Sequence, residues 1–110
     1  MAEIILGTSS YSYNDWRGPF YILQLKKGNM LEKYAWEFHY TEINSTYYSL
    51  PSQQAIAGLA KRTPPDFVFT VKAFQSLTHE RHDNIAVDTS KFRFSMAPMM
   101  DEGKLGAVLL

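Results

Sequence analysis

Apolar positions along the chain recur in two alternating rhythms. Glu3 to Leu6 is a short Ile-rich run closed by Gly7-Thr8-Ser9-Ser10, which predicts a buried strand entering a loop. Past Gly28, with Asn29 as the expected N-cap, Met30, Leu31, Tyr34, Ala35 and Phe38 fall on one helical face, and Glu32, Lys33 and Glu37 fall on another. Tyr40-Thr41-Glu42-Ile43-Asn44-Ser45 alternates polar with β-branched or aromatic residues and predicts a second strand. Pro51-Ser52 opens a second helix with Ile56, Leu59 and Ala60 on one side, weakened by Gly58 and stopped by Pro64-Pro65. Phe67 to Lys72 is the clearest strand. A third helix is predicted from an Asp88 cap through Phe92, Met96 and Met99, broken or kinked at Pro98 and ended by Gly103. Leu105 to Leu110 starts a fourth apolar strand.

Strands alternating with helices, with strand centres 25 to 40 residues apart, are the rhythm of right-handed βαβ crossovers, so the class is α/β with a parallel sheet. Such strands are covered on both faces. A chain ending on a bare Ala-Val-Leu-Leu run is therefore expected to be a single partial domain over residues 1–110, truncated in strand four, and to self-associate if isolated. No internal repeat, linker or low-complexity segment divides it.

Composition narrows the classes. Hydrophobic residues make up 45% and aromatics 15%, which excludes intrinsic disorder. Eleven basic residues balance eleven acidic ones, with no basic run to follow a phosphate backbone, so nucleic acid is not an expected partner. Without cysteine there is no disulfide and no thiolate chemistry, an absence that suits a cytoplasmic protein. No stretch approaches the roughly 20 apolar residues of a membrane span.

Four segments carry a resemblance. Gly7-Thr8-Ser9-Ser10-Tyr11-Ser12-Tyr13-Asn14-Asp15-Trp16, Thr41-Glu42-Ile43-Asn44-Ser45-Thr46-Tyr47-Tyr48, Asp66 to Lys72, and Leu77-Thr78-His79-Glu80 resemble, in order and spacing, the YecE-like family, domain of unknown function 72. Gly103 to Leu110 resembles that family's entry into strand four. The resemblance implies a TIM-like (β/α) barrel, present here as its N-terminal portion of about four parallel strands and three helices. Two departures are local: Ser10 stands where the family usually has glycine, and Ile22-Leu23-Gln24 interrupts what is usually a Tyr-Pro turn. The family has no assigned activity, and barrels host many chemistries, so function rests on residues.

Barrel enzymes place their sites at the C-terminal ends of the strands. If Phe67, Phe69 and Val71 pack on helices, Lys72 points into the barrel near its top, and on strand two Glu42 and Asn44 point inward while Ile43 does not. Glu42 is then a candidate acid or base, Lys72 an anion contact or electrophile, and His79 on the following loop a proton carrier. Glu42 and Lys72 are expected within about 6 Å of each other, and a purely structural ion pair explains them equally well. Thr8, Ser9, Tyr11, Asn14, Asn44, Ser45 and Thr46 are the candidate ligand-binding residues. The aromatic set Tyr11, Tyr13 and Trp16, beside Asn14 and Arg17, suits a hydroxylated ligand but suits packing of a long loop better. Gly7-Thr8-Ser9 falls far short of a phosphate-cradling motif, and Met96, Met99 and Met100 read as packing residues. His79-Glu80-Arg81-His82-Asp83 lacks the helical two-histidine spacing of zinc proteases, so no metal or cofactor is assigned.

Three functions remain open. The chain belongs to an enzyme acting on a small polar or anionic metabolite, as hydrolase, lyase or isomerase; or to a non-catalytic module binding such a metabolite; or it is an incomplete product without activity.

Overall fold

The computed structural model describes residues 3–77 and 85–110. Four strands form one parallel sheet in the order of the chain: β1 (Gly7–Ser9), β2 (Tyr40–Ile43), β3 (Val68–Lys72) and β4 (Leu105–Leu109). Helices α1 (Met30–Glu37), α2 (Gln53–Lys61) and α3 (Ile85–Asp101) make the crossovers. The sheet is open, with β1 and β4 at its edges.

Period-two alternation sorts the strand residues onto two faces. Thr41, Ile43, Phe69 and Val71 are buried beneath the helices with Leu31, Tyr34, Ile56, Phe92, Met96 and Met99. The other parity, Tyr40, Glu42, Val68, Thr70 and Lys72, is only half-buried. Register aligns Ser9 with Glu42, and Glu42 with Thr70, across neighbouring strands.

Strand one differs from its expectation. Pairing runs over Gly7–Ser9 instead of Glu3–Leu6, and Ile4 and Leu6 are exposed at 84% and 73%. β2 starts at Tyr40, with two residues between it and the end of α1, and its pairing with β1 starts at Gly7–Tyr40, so the residues preceding Gly7 have no β2 partner. At Gly7 itself a Cβ would stand 1.9 Å from the Tyr40 carbonyl oxygen, which only glycine avoids. The Tyr34 phenol locks this junction from below, accepting from the Thr8 amide at 2.7 Å and donating to the Tyr40 carbonyl at 2.8 Å. Between β3 and β4 the register slips after Phe69–Leu105, leaving Gly106 as the extra residue.

Strand two also ends earlier than expected: Ser45 lies in a 3₁₀ turn, Ser45–Tyr47. Asn29 does not cap α1 through its side chain. It sits in a preceding 3₁₀ turn with helical backbone, and its amide bonds to the Lys26 carbonyl at 2.9 Å. Ser52 does cap α2, accepting from the Ala55 amide at 3.1 Å. Helix α3 begins at Ile85, ahead of Asp88, and runs unbroken through Pro98. Proline leaves the carbonyl four residues back without its helical donor. That carbonyl, on Phe94, accepts instead from the Gln53 side-chain amide at 2.6 Å, so α2 repairs α3. Gly103, at φ 69, closes α3, its amide bonding to the Met100 carbonyl and that of Lys104 to the Met99 carbonyl.

Lys104 is a feature the sequence pattern did not single out. Its side chain is buried, and its ammonium donates to the Ala60 carbonyl at 2.5 Å, the Thr63 carbonyl at 2.8 Å and the Thr63 hydroxyl at 3.1 Å. A cation here satisfies the end carbonyls of α2 and meets the negative end of that helix. It sits at the entry to β4, away from the C-terminal strand ends where ligands bind in barrels.

Candidate functional site

The candidate residues fall into two groups on opposite faces of the sheet, with a third set committed to the loop between them. On the open face, Ser9, Glu42 and Thr70 lie side by side in register, and Lys72 stands two residues further along β3. The Tyr40 phenol and the Thr70 hydroxyl share a hydrogen bond of 2.7 Å on the same face. The Asn44 side chain donates to the Ser9 hydroxyl at 2.6 Å, joining the ends of β1 and β2.

Glu42 and Lys72 share this face but do not form an ion pair. The ion pairs among the described residues are Lys33–Glu37 and His39–Asp66. The register accounts for this: Glu42 is opposite Thr70, and Lys72, one step up, directs its ammonium over the Tyr47 ring at 5.4 Å from the centroid. Among the described residues the Glu42 carboxylate meets no hydrogen-bond donor, so both its oxygens are available. His79 lies outside the described residues.

A second group faces the helices. Tyr11, Asn44, Ser45 and Thr46 border a cleft of about 690 Å³ between the loop after β1 and the flank of α2. Lys27 and Arg62, neither singled out by sequence pattern, border it as well. Thr46 is fully buried and donates to the Lys72 carbonyl at 2.6 Å, so its hydroxyl holds the end of β3. Burial raises the Tyr11 phenol above its usual value, and the Arg62 charge partly lowers it.

The third set is structural. The Thr8 hydroxyl donates to the Ser10 carbonyl at 2.6 Å and lies 3.0 Å from the Tyr34 phenol. The Asn14 carbonyl oxygen accepts from Arg17 at 3.3 Å, and Arg17 in turn donates to the carbonyls of Leu23 and Leu25. The aromatic loop packs on itself and on α1, with Trp16 against Tyr13, Phe20, Tyr21 and Tyr34 at centroid distances of 4.8 to 6.4 Å. Tyr21, fully buried, donates to the Tyr11 carbonyl at 2.6 Å. The rings pack the long loop onto α1, the packing role that their sequence already favoured. No helix among the described residues is long and apolar enough to cross a membrane.

A parallel sheet of four strands in chain order, with three helical crossovers, defines an α/β protein. The chain belongs to the family described as protein of unknown function DUF72, whose model matches residues 5–110. It is similar to UPF0759 protein YunF of Bacillus subtilis (strain 168), with 29% identity over 84 residues, 72% of this chain and 30% of that protein. Among solved structures it resembles a DUF72 family protein from Thermotoga maritima MSB8, at TM-score 0.76 and 34% identity, covering 94% of this chain and 42% of that one. A DUF72 family protein from Enterococcus faecalis V583 aligns at TM-score 0.76 and 26% identity, covering 96% of this chain and 38% of that one. The chain therefore spans less than half the length of each of these relatives.

Proposed function

We propose that this chain supplies the first βα units of a TIM-like barrel whose inner face and upper rim bind a small polar or anionic metabolite. The observation that carries the proposal is the polar composition of the open face: Ser9, Glu42, Thr70 and Lys72 stand on contiguous strands, near the strands' C-terminal ends, opposite a largely apolar helix-side layer. In this reading Glu42 acts as acid or base, because its carboxylate carries no donor among the described residues. Lys72 neutralises an anionic group on the ligand, and the Ser9–Asn44 pair offers hydroxyl and amide contacts. His79 takes a proton-carrying part, as the first imidazole beyond β3 along the chain. The protein works in the cytoplasm on this reading, in keeping with a cysteine-free chain.

A second reading, binding without turnover, is favoured by one specific observation: among the described residues, none of the hydrogen bonds at the rim joins Glu42 to a nucleophile or a second acid. One experiment separates the two. The chain labelled with nitrogen-15 is titrated with glycerol 3-phosphate and glycerate, and wild type is compared with Glu42→Gln and Lys72→Met. Binding at the proposed face shifts the amides of Ser9, Glu42, Thr70 and Lys72, and Lys72→Met weakens it about tenfold, the cost of one charged contact. Turnover of a bound compound that Glu42→Gln abolishes without loss of binding identifies an enzyme; binding alone identifies the module. Shifts confined to His39, Asp66 and Lys104, at the other end of the sheet, contradict both.

A further inference from the structure

The cleft on the helix side of the sheet has features that the open-face reading does not use. Its floor is apolar, built from Ile43, Ile56 and Leu59, and its rim carries Ser10, Ser12 and Gln54. It follows the flank of α2, nine residues and so roughly 13 Å of helix, with Pro51 and Arg62 at its two ends. A volume of about 690 Å³ lies within the range of small-molecule sites, roughly 300 to 1,000 Å³.

Charge is one-sided here. Lys27 and Arg62 border the cleft, and no aspartate or glutamate among the described residues does. Neither cation is engaged by a carboxylate among the described residues. Two cations with no paired acid repel a cationic ligand, and beside an apolar floor they favour an anion with an apolar body over a neutral molecule of the same size. The geometry points to a second ligand site, between the β1 loop and α2, for an organic anion with an apolar body: a carboxylate or a phosphate monoester whose charge meets Arg62 and Lys27 while its chain lies on Ile56 and Leu59. The field of Arg62 already reaches into this cleft, where it offsets part of the effect of burial on the Tyr11 phenol. The site does not use Glu42 or Lys72, which stand on the open face, although Asn44 borders the cleft and also bonds to Ser9 of the open-face proposal.

The test titrates the nitrogen-15-labelled chain with hexanoate, hexyl phosphate, hexanol and hexylamine. A site of this kind gives saturable shifts of the Ser12, Ala55 and Gly58 amides with one or both anions and not with hexanol or hexylamine. The stronger of the two anions fixes the headgroup. Arg62→Gln and Lys27→Gln, both at exposed positions, each weaken binding about five- to tenfold while leaving the folded spectrum intact. Equal shifts with hexanol, anion binding indifferent to both substitutions, or no saturation by about 10 mM probe each overturn the proposal. Anion shifts confined to Ser9, Glu42, Thr70 and Lys72 also overturn it, and would support the open face instead.

Discussion

The two faces of this sheet differ by one residue of alternation and by almost everything else. Phe69 and Val71 are fully buried against α1, α2 and α3, whereas Thr70 and Lys72, their immediate neighbours, point to a face of hydroxyls, one carboxylate and one ammonium. On the helix side, polar side chains are spent on backbone groups: Tyr34 on β1 and β2, Thr46 on the end of β3, Lys104 on the end of α2. On the open side they bond to each other, or to no described partner at all. A polar group bound to buried backbone holds the fold, and a polar group left available on a strand end can meet a ligand.

The sharpest break of this comparison is a pair of substitutions at adjacent positions. Phe69→Ala should cost about 3–5 kcal/mol in urea unfolding, as a large buried ring is lost, whereas Thr70→Val should cost under about 1 kcal/mol. Comparable costs at the two positions would mean that the open face is also core. A second effect comes from Tyr21, whose phenol is pushed up from 10.0 to about 12, first by burial and then by the neighbouring Tyr34 and Tyr11 phenols. Because the folded value exceeds the unfolded one, the contribution of Tyr21 is complete below pH 10 and is lost as pH rises from 10 toward 12. Stability measured across that window should fall more steeply for wild type than for Tyr21→Phe; parallel curves would refute the assignment.

A smaller effect tests the repair of α3. Gln53→Ala should cost about 1 kcal/mol by freeing the Phe94 carbonyl, and the cost should shrink when Pro98→Ala restores a helical donor. Additive costs would show that Gln53 does not substitute for the missing amide. Smallest is Ser10, which holds φ at 65 in the left-handed region. Ser10→Gly should stabilise by about 0.5–1 kcal/mol, the relief of strain less the greater freedom of glycine when unfolded. A loss of stability would mean that the serine side chain contributes more than the strain removes.

These cases also show what the sequence made legible. The order of elements, the helix-facing parity of Phe67, Phe69 and Val71, and the Ser52 cap all depend on local spacing, and local spacing is readable. Ser10 was visible as a departure from glycine, and its positive φ supplies the reason. The strand at Gly7–Ser9 was misplaced because apolar content marks Ile4–Leu6, whereas pairing is decided by where β2 begins. Pro98 predicts a break or a kink, but α3 runs through it because the freed carbonyl is taken up by the Gln53 amide, which lies more than forty residues away in sequence. Within the candidate site, alternation put Glu42 and Lys72 on one face, but strand register and the Tyr47 ring, both non-local, keep them from pairing. Lys27, Arg62 and Lys104 have no motif; their roles arise from which loop or helix end reaches them.

On β2 and β3 one parity of residues packs the core, and the proposed open-face site puts its ligand on the other parity. The chain has no cysteine, so single thiols report each face without background. The labelling rate of Thr70→Cys and Val71→Cys by a small thiol reagent, with and without glycerol 3-phosphate, tests the claim most directly. The account predicts fast labelling at position 70 that the anion slows, and labelling at position 71 that waits on unfolding and ignores the anion. Equal rates at the two positions, or protection at 71 and not at 70, would contradict it.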